Sequence, residues 1–175
     1  RRQRQMCIRD RVSAKVVPNC CNEIVFQQRP SEKLVKAKKR ELNFEDDDFI
    51  VIFSGRVVEE KGVKELLLAI ENIPNERIKL LIVGSSFYAS SGQTEYWSNI
   101  QKLSISLGNR VCMTGYVPNH ELSLYFAVSS LCVVPSVWEE PVALVPLEAM
   151  TFGLPVIVTN SGGMVEYQKD NCILI

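Results

Sequence analysis

From Phe49 onward the chain switches repeatedly between two hydrophobic periods. "FIVIFSGR" is a nearly continuous apolar run ending in glycine, the pattern of a strand buried on both faces. In "VKELLLAIENI", Val63, Leu66, Leu67 and Ile70 recur at helical spacing. "IKLLIVGSS" reads as a second strand, and a helix is predicted around Glu95 to Leu107, closed by Gly108. "RVCMTGY" is a third strand, after which Pro118 opens a helix over "NHELSLYFAVSS". "LCVVPS" and "PVIVTN" are the fourth and fifth strands. A helix from Pro146 to Phe152 lies between them, stopped by Gly153 and Pro155. Strands alternating with helices over short connections make βαβ units. The expected fold is α/β, a Rossmann-like doubly wound parallel sheet over residues 49–175.

The chain before Phe49 has a different texture. Residues 12–48 carry one strand-like end ("KVVPN") and a charged helix ("SEKLVKAKKREL"), and read as a crossing segment between two domains. The basic run Lys33 to Arg40 is followed at once by acidic Glu45 to Asp48, a solvated arrangement rather than a binding stripe. Arg1–Arg11, "RRQRQMCIRDR", is dense in arginine and unconnected to the pattern that follows. It resembles a translated library-preparation adapter rather than part of the fold. On that reading the chain is a piece of a longer protein, with an N-terminal domain missing and the C-terminus cut at "NCILI".

Composition narrows the classes. The chain has 175 residues, 46% hydrophobic and 23% charged, enough to bury a core. Its formal net charge of zero leaves no electrostatic footprint for nucleic acid. No apolar run approaches the ~20 residues of a membrane helix. Six cysteines without a C-x-x-C spacing suggest a reducing cytoplasm, and Cys112 and Cys132 read as buried strand thiols. A single histidine, His120, argues against a His-based zinc site or a Ser-His-Asp triad.

The chemistry gathers after the strands, where ligands bind in open α/β sheets. Strand one is followed by Gly55, Arg56 and Lys61, strand two by Gly84, Ser85 and Ser86, and strand three by Gly115, Tyr116 and Val117. Strand four is followed by Ser136, Trp138, Glu139 and Glu140, and strand five by Asn160, Ser161, Gly162 and Gly163. Glu140 and Glu148 are eight apart, about 80° out of phase on one helix. With Pro146 starting the helix, Glu140 falls in the loop and Glu148 in the first turn, so both can face one cleft. The helix N-terminus between them suits a phosphate, and Arg56 and Lys61 supply cations. Amides and cations for a diphosphate, with carboxylates for hydroxyls, describe a nucleotide-sugar site.

"SGRVVEEKG", "TGYVP" and "VPSVWEEPVALVPLEAMTFGLPVIVTNSGG", in this order, resemble the family-4 retaining glycosyltransferases from Phe49 to the end. The resemblance implies the C-terminal, donor-binding half of a GT-B glycosyltransferase. Arg56 and Lys61 would hold the donor diphosphate, Glu148 the ribose hydroxyls and Glu140 the transferred sugar. Backbone amides of Leu144 and Val145 would meet phosphate. Tyr116 and Val117 would line the base pocket, and Gly55 and Gly84 would let backbone approach the ligand. Transfer would retain anomeric configuration by front-face attack, with Arg56, Lys61 and Glu140 as the catalytic set. No cofactor and no metal are expected; a UDP-sugar is the favoured donor. A glycan or lipid-linked acceptor, and any peripheral contact with the inner face of the membrane, would belong to the missing domain. Bacterial polysaccharide or lipopolysaccharide synthesis is the setting implied, and the piece alone is expected to be inactive.

Two departures stand against the family pattern. Ala143 replaces a usual glycine in the phosphate loop, and Asn19-Cys20-Cys21-Asn22 replaces a glycine-containing turn. The formal D-x-D in "EDDD" precedes strand one, the wrong edge for a metal-diphosphate, and reads as a solvated turn. Trp138 reads as a sugar-pocket wall or a packing residue, and Glu166 as a helix cap. A nucleotide-sugar binding module without catalysis and a GT-B epimerase remain as alternatives. The dinucleotide fingerprint G-x-G-x-x-G is absent, against a dehydrogenase.

Overall fold

A computed structural model describes residues 29–86, 95–141, 143–164 and 172–175. A six-stranded parallel sheet has the order β3-β2-β1-β4-β5-β6. Its strands are β1 (Phe49–Ser54), β2 (Ile78–Val83), β3 (Val111–Gly115), β4 (Leu131–Val134), β5 (Val156–Val158) and β6 (Ile173–Leu174). Among the described residues the α-helices are α1 (Glu32–Glu41), α2 (Val63–Asn72), α3 (Glu95–Ser106), α4 (Leu122–Val128) and α5 (Val145–Thr151). The expected Rossmann-like doubly wound sheet is present. The strand order reverses at β1, between β2 and β4, which opens a crevice at the carboxyl ends.

The continuous apolar runs are explained by burial on two sides. Ile50 and Ile52 of β1 point into one core with Phe126, Phe152, Val156, Val158 and Met164. Val51 and Phe53 point into the other with Val63, Leu66, Leu67, Ile70 and Ile100. The α2 residues predicted by helical spacing are the ones buried. The sixth strand was not expected. It pairs Ile173 and Leu174 with Ile157 and Val158, and two residues are too few to show a period. Pro118 precedes a 3-10 turn, Asn119–Glu121, rather than the α-helix itself, which starts at Leu122.

The charged helix α1 lies against this domain. Lys38 Nζ sits over the Tyr125 ring at 5.1 Å, and Leu42 and Phe44 enter the first core. The Arg29 guanidinium donates to the Phe152 and Thr151 carbonyls at 3.0 and 2.7 Å. The solvated-turn reading of "EDDD" fails at one position. Asp48 is buried, and its carboxylate accepts the Glu45 N–H at 2.9 Å, closing the turn that starts β1. Residues 1–28, with the adapter-like stretch and the Asn19–Asn22 departure, and Glu166 lie outside the described residues.

Candidate functional site

The carboxyl ends of β1, β2 and β3 enclose a cavity of about 110 Å³. Gly55, Arg56, Gly84, Tyr116 and Val117 line it together with Ser85 and Leu122. Five sequence-predicted residues are therefore brought together here. The wall is built from backbone. Gly84 has φ +139°, and a Cβ there would lie 1.8 Å from the Gly55 carbonyl oxygen. Its N–H donates to the Gly115 carbonyl at 2.9 Å, and Gly55 N–H donates to Val83 at 2.9 Å. Only glycine lets these strand ends approach so closely. Arg56 is exposed, and among the described residues no acceptor holds its guanidinium. Tyr116 is also exposed at the rim.

A second group forms at the ends of β4 and β5. Glu140 is buried, and its Oε2 is ion-paired with Lys61 Nζ. The same oxygen accepts Trp138 Nε1–H at 3.1 Å and Ser136 Oγ–H at 3.4 Å. Three alternate carbonyls of this loop are tied to the chain after β5. Thr159 Oγ1 donates to Ser136 O at 2.7 Å, Ser161 Oγ to Trp138 O at 2.7 Å, and Gly163 N to Glu140 O at 2.8 Å. Lys61 reaches Glu140 because its own loop docks here: Val137 N–H donates to Glu60 O at 3.0 Å. Gly62 completes that docking with φ +67°, where a Cβ would lie 1.9 Å from the Pro135 carbonyl oxygen.

Glu148 sits one turn into α5, where its N–H bonds the Leu144 carbonyl at 3.0 Å. Leu144 is the residue before the helix, and Val145 and Pro146 are its first two residues, so the predicted glutamate placement holds. Among the described residues no side chain bonds the Glu148 carboxylate. Burial pushes its pKa above the ordinary glutamate range. The nearby Cys132 thiol is pushed up to about 12, by burial first and by the Glu148 charge second, so it stays protonated and inert. Cys132 is fully buried as expected, and Cys112 partly so.

Sequence reasoning missed Ser136 as a partner of Glu140 and Gly62 as the residue that seats Lys61. The signal for Gly62 was its position, directly between the candidate site residue Lys61 and a helix start. Trp138 was left between wall and packing roles, and its indole N–H is found on Glu140. His120 lies exposed on its 3-10 turn. Among the described residues no group of three or more His, Cys, Asp or Glu is placed to hold a metal, and no helix is long and apolar enough to cross a membrane.

Residues 35–173 match the model of the family described as Glycosyl transferases group 1. The lipopolysaccharide 1,2-N-acetylglucosaminetransferase of Salmonella typhimurium is 27% identical over 90% of the chain and 41% of its own length. A glycosyltransferase of Methanocaldococcus jannaschii is 32% identical over 89% of the chain and 38% of its own length. The chain thus spans about two-fifths of these curated relatives. Among solved structures, sucrose-phosphate synthase from Thermosynechococcus elongatus is 31% identical, with a TM-score of 0.75 over 99% of the chain and 43% of that protein. The Anabaena protein HepE, solved in complex with UDP-glucose, shares the fold with a TM-score of 0.78 at 23% identity, over 92% of the chain and 43% of its own. With the family match running through both groups of site residues, the chain belongs to the group 1 glycosyl transferases.

Proposed function

We propose that the chain is the donor-binding part of a retaining, family-4 glycosyltransferase that takes a nucleoside-diphosphate sugar. The observation that carries this reading is the state of the two glutamates. Glu140 is buried and already paired with a cation, while Glu148 is shielded beside a helix start with no side-chain partner among the described residues. Carboxylates are costly to hide. Two of them beside an open crevice at the switch point make sense when hydroxyls of a ligand complete their shells.

In this reading Arg56 and Lys61 carry the diphosphate, and Leu144 and Val145 add first-turn amides, which a helix leaves without internal acceptors. Tyr116 and Val117 face the base across the cavity whose floor is Gly55 and Gly84. Glu148 takes the ribose hydroxyls and Glu140 the sugar. Charge developing on the leaving diphosphate falls to the two cations rather than a metal, and that electrostatic contribution does most to lower the barrier. Front-face attack, with the diphosphate accepting the acceptor's proton, needs no protein nucleophile. A UDP-sugar is favoured, since HepE was solved with UDP-glucose. Glycan or lipid-linked acceptors, contact with the membrane's inner face, and a place in bacterial surface-polysaccharide synthesis are assigned to the whole protein. The Salmonella lipopolysaccharide enzyme supports that assignment.

The test is calorimetry of the chain with UDP, GDP, ADP and their common sugar forms, on wild type and Glu148→Gln. Selective binding of one base, lost in the variant, is expected. Binding that ignores the base, or that survives Glu148→Gln unchanged, overturns the assignment.

A further inference from the structure

Three donors converge on one oxygen of Glu140: Lys61 Nζ, Trp138 Nε1 and Ser136 Oγ all meet Oε2. Among the described residues no donor reaches Oε1. Trp138 is the unusual member. The residue is 44% exposed, so water would serve its N–H without help from the protein. The loop nevertheless turns that N–H inward, onto a buried carboxylate.

Lys61 cannot both neutralise Glu140 and bind a diphosphate at full strength. When it turns to phosphate, Glu140 would be left buried with its charge, unless other donors stay on it. Trp138 and Ser136 are those donors. We propose, resting on the donor-site reading above, that Trp138 is a positioning residue. Its indole N–H, backed by the Ser136 hydroxyl, keeps the Glu140 carboxylate hydrogen-bonded and oriented while Lys61 is drawn to the diphosphate. Oε1 is thereby left to accept from a hydroxyl of the transferred sugar. The sugar and the diphosphate are then read together, through one exchange of partners. A free nucleoside diphosphate gives Glu140 nothing in return, so Lys61 stays on the glutamate, whereas a sugar nucleotide supplies the replacement hydrogen bond and releases the lysine.

Calorimetry tests this on the 175-residue chain, using UDP with UDP-glucose, GDP with GDP-mannose, and ADP with ADP-glucose. The pair that binds wild type is then carried to Trp138→Phe, which keeps an aromatic ring and removes the N–H. The Kd of the sugar nucleotide is expected to rise about tenfold, with that of the free diphosphate changing less than about twofold. A parallel rise in both, as general loosening of the loop would give, overturns the inference and leaves the donor-site reading standing. So does no change in either. Failure of wild type to bind any of the six ligands overturns both. Independently of that variant's folding, the Trp138 indole N–H resonance of the ¹⁵N-labelled chain is expected to move in Glu140→Gln. A resonance that stays in place overturns the inference.

Discussion

At the ends of β1, β2 and β3 the cavity wall is main chain: Gly55 and Gly84 touch strand to strand, and Arg56 and Tyr116 stand exposed at the rim. At the ends of β4 and β5 the neighbouring loop is organised by side chains. A buried glutamate there holds a lysine, a tryptophan and a serine on one oxygen, and three hydroxyl or amide donors fix the loop from behind. The backbone half keeps its shape without a ligand because its shape is steric. The charged half keeps its shape by satisfying itself internally, so a ligand must replace partners that are already present. One half is specified by which residues lack a side chain, the other by charge balance. The two should therefore break in different ways.

The largest effect on stability is expected from Gly84→Ala. The new Cβ meets the Gly55 carbonyl at 1.8 Å, and the residue must hold φ +139°, so both contact and conformation oppose it. A loss of about 3 kcal/mol or more is expected in denaturant unfolding. Wild-type stability in this variant would mean the wall is pliable. Next comes Lys61→Met, which strips the cation from buried Glu140. Removing one partner of a fully buried pair costs about 3–5 kcal/mol. Here Trp138 and Ser136 still donate and Lys61 is partly exposed, so about 2 kcal/mol is expected. Adding Glu140→Gln to Lys61→Met should recover much of that loss, and a double-mutant cycle measures the recovery. Purely additive losses would mean that the pair does not stabilise the loop.

The same contrast explains what could be read from the sequence. Strands buried on both faces announce themselves as apolar runs, so β1, β2, β4 and β5 were visible; the half-buried edge strand β3 was legible from its position in the strand–helix alternation, and α2 followed from Val63, Leu66, Leu67 and Ile70. β6 was not, because two residues carry no period. The residues that line the cavity follow strand ends, where position in the topology alone points to ligand. The partners of Glu140 were harder. Ser136 and Trp138 are ordinary loop residues until the turn at Thr159 to Gly163 folds the loop back on itself, and that is a contact between segments more than twenty residues apart. Asp48 was misread for a related reason. A local side-chain to backbone bond had buried it, and an acidic run gives no hint which member turns inward.

Glu148→Gln should have a smaller effect and the opposite sign. Burial raises the Glu148 pKa, so the folded chain binds that proton more tightly than the unfolded chain does. Stability attributable to this group is full below the ordinary glutamate pKa of about 4.3, falls as pH rises to the raised folded value, and stays low above it. Glutamine removes that loss. The variant is expected to melt a few degrees higher than wild type near pH 7 and level with it near pH 4, while losing nucleotide affinity. Gained stability with lost binding would place the strain of the charged half on Glu148, the carboxylate with no side-chain partner among the described residues. Equal melting at both pH values would mean that the buried carboxylate is satisfied in solution.

Arg56→Ala should change stability least, within about 0.5 kcal/mol, because the guanidinium is exposed and makes no ion pair or hydrogen bond among the described residues. Its loss should appear only when an anion is offered. Affinity for a nucleoside diphosphate is expected to fall by about tenfold at low salt, and by less as salt screens the remaining charge. That pattern would make Arg56 a side chain kept for the ligand, in contrast to Lys61, which serves the fold until a ligand arrives. A clear loss of stability in Arg56→Ala without ligand would erase the distinction, since both cations would then be structural counter-charges.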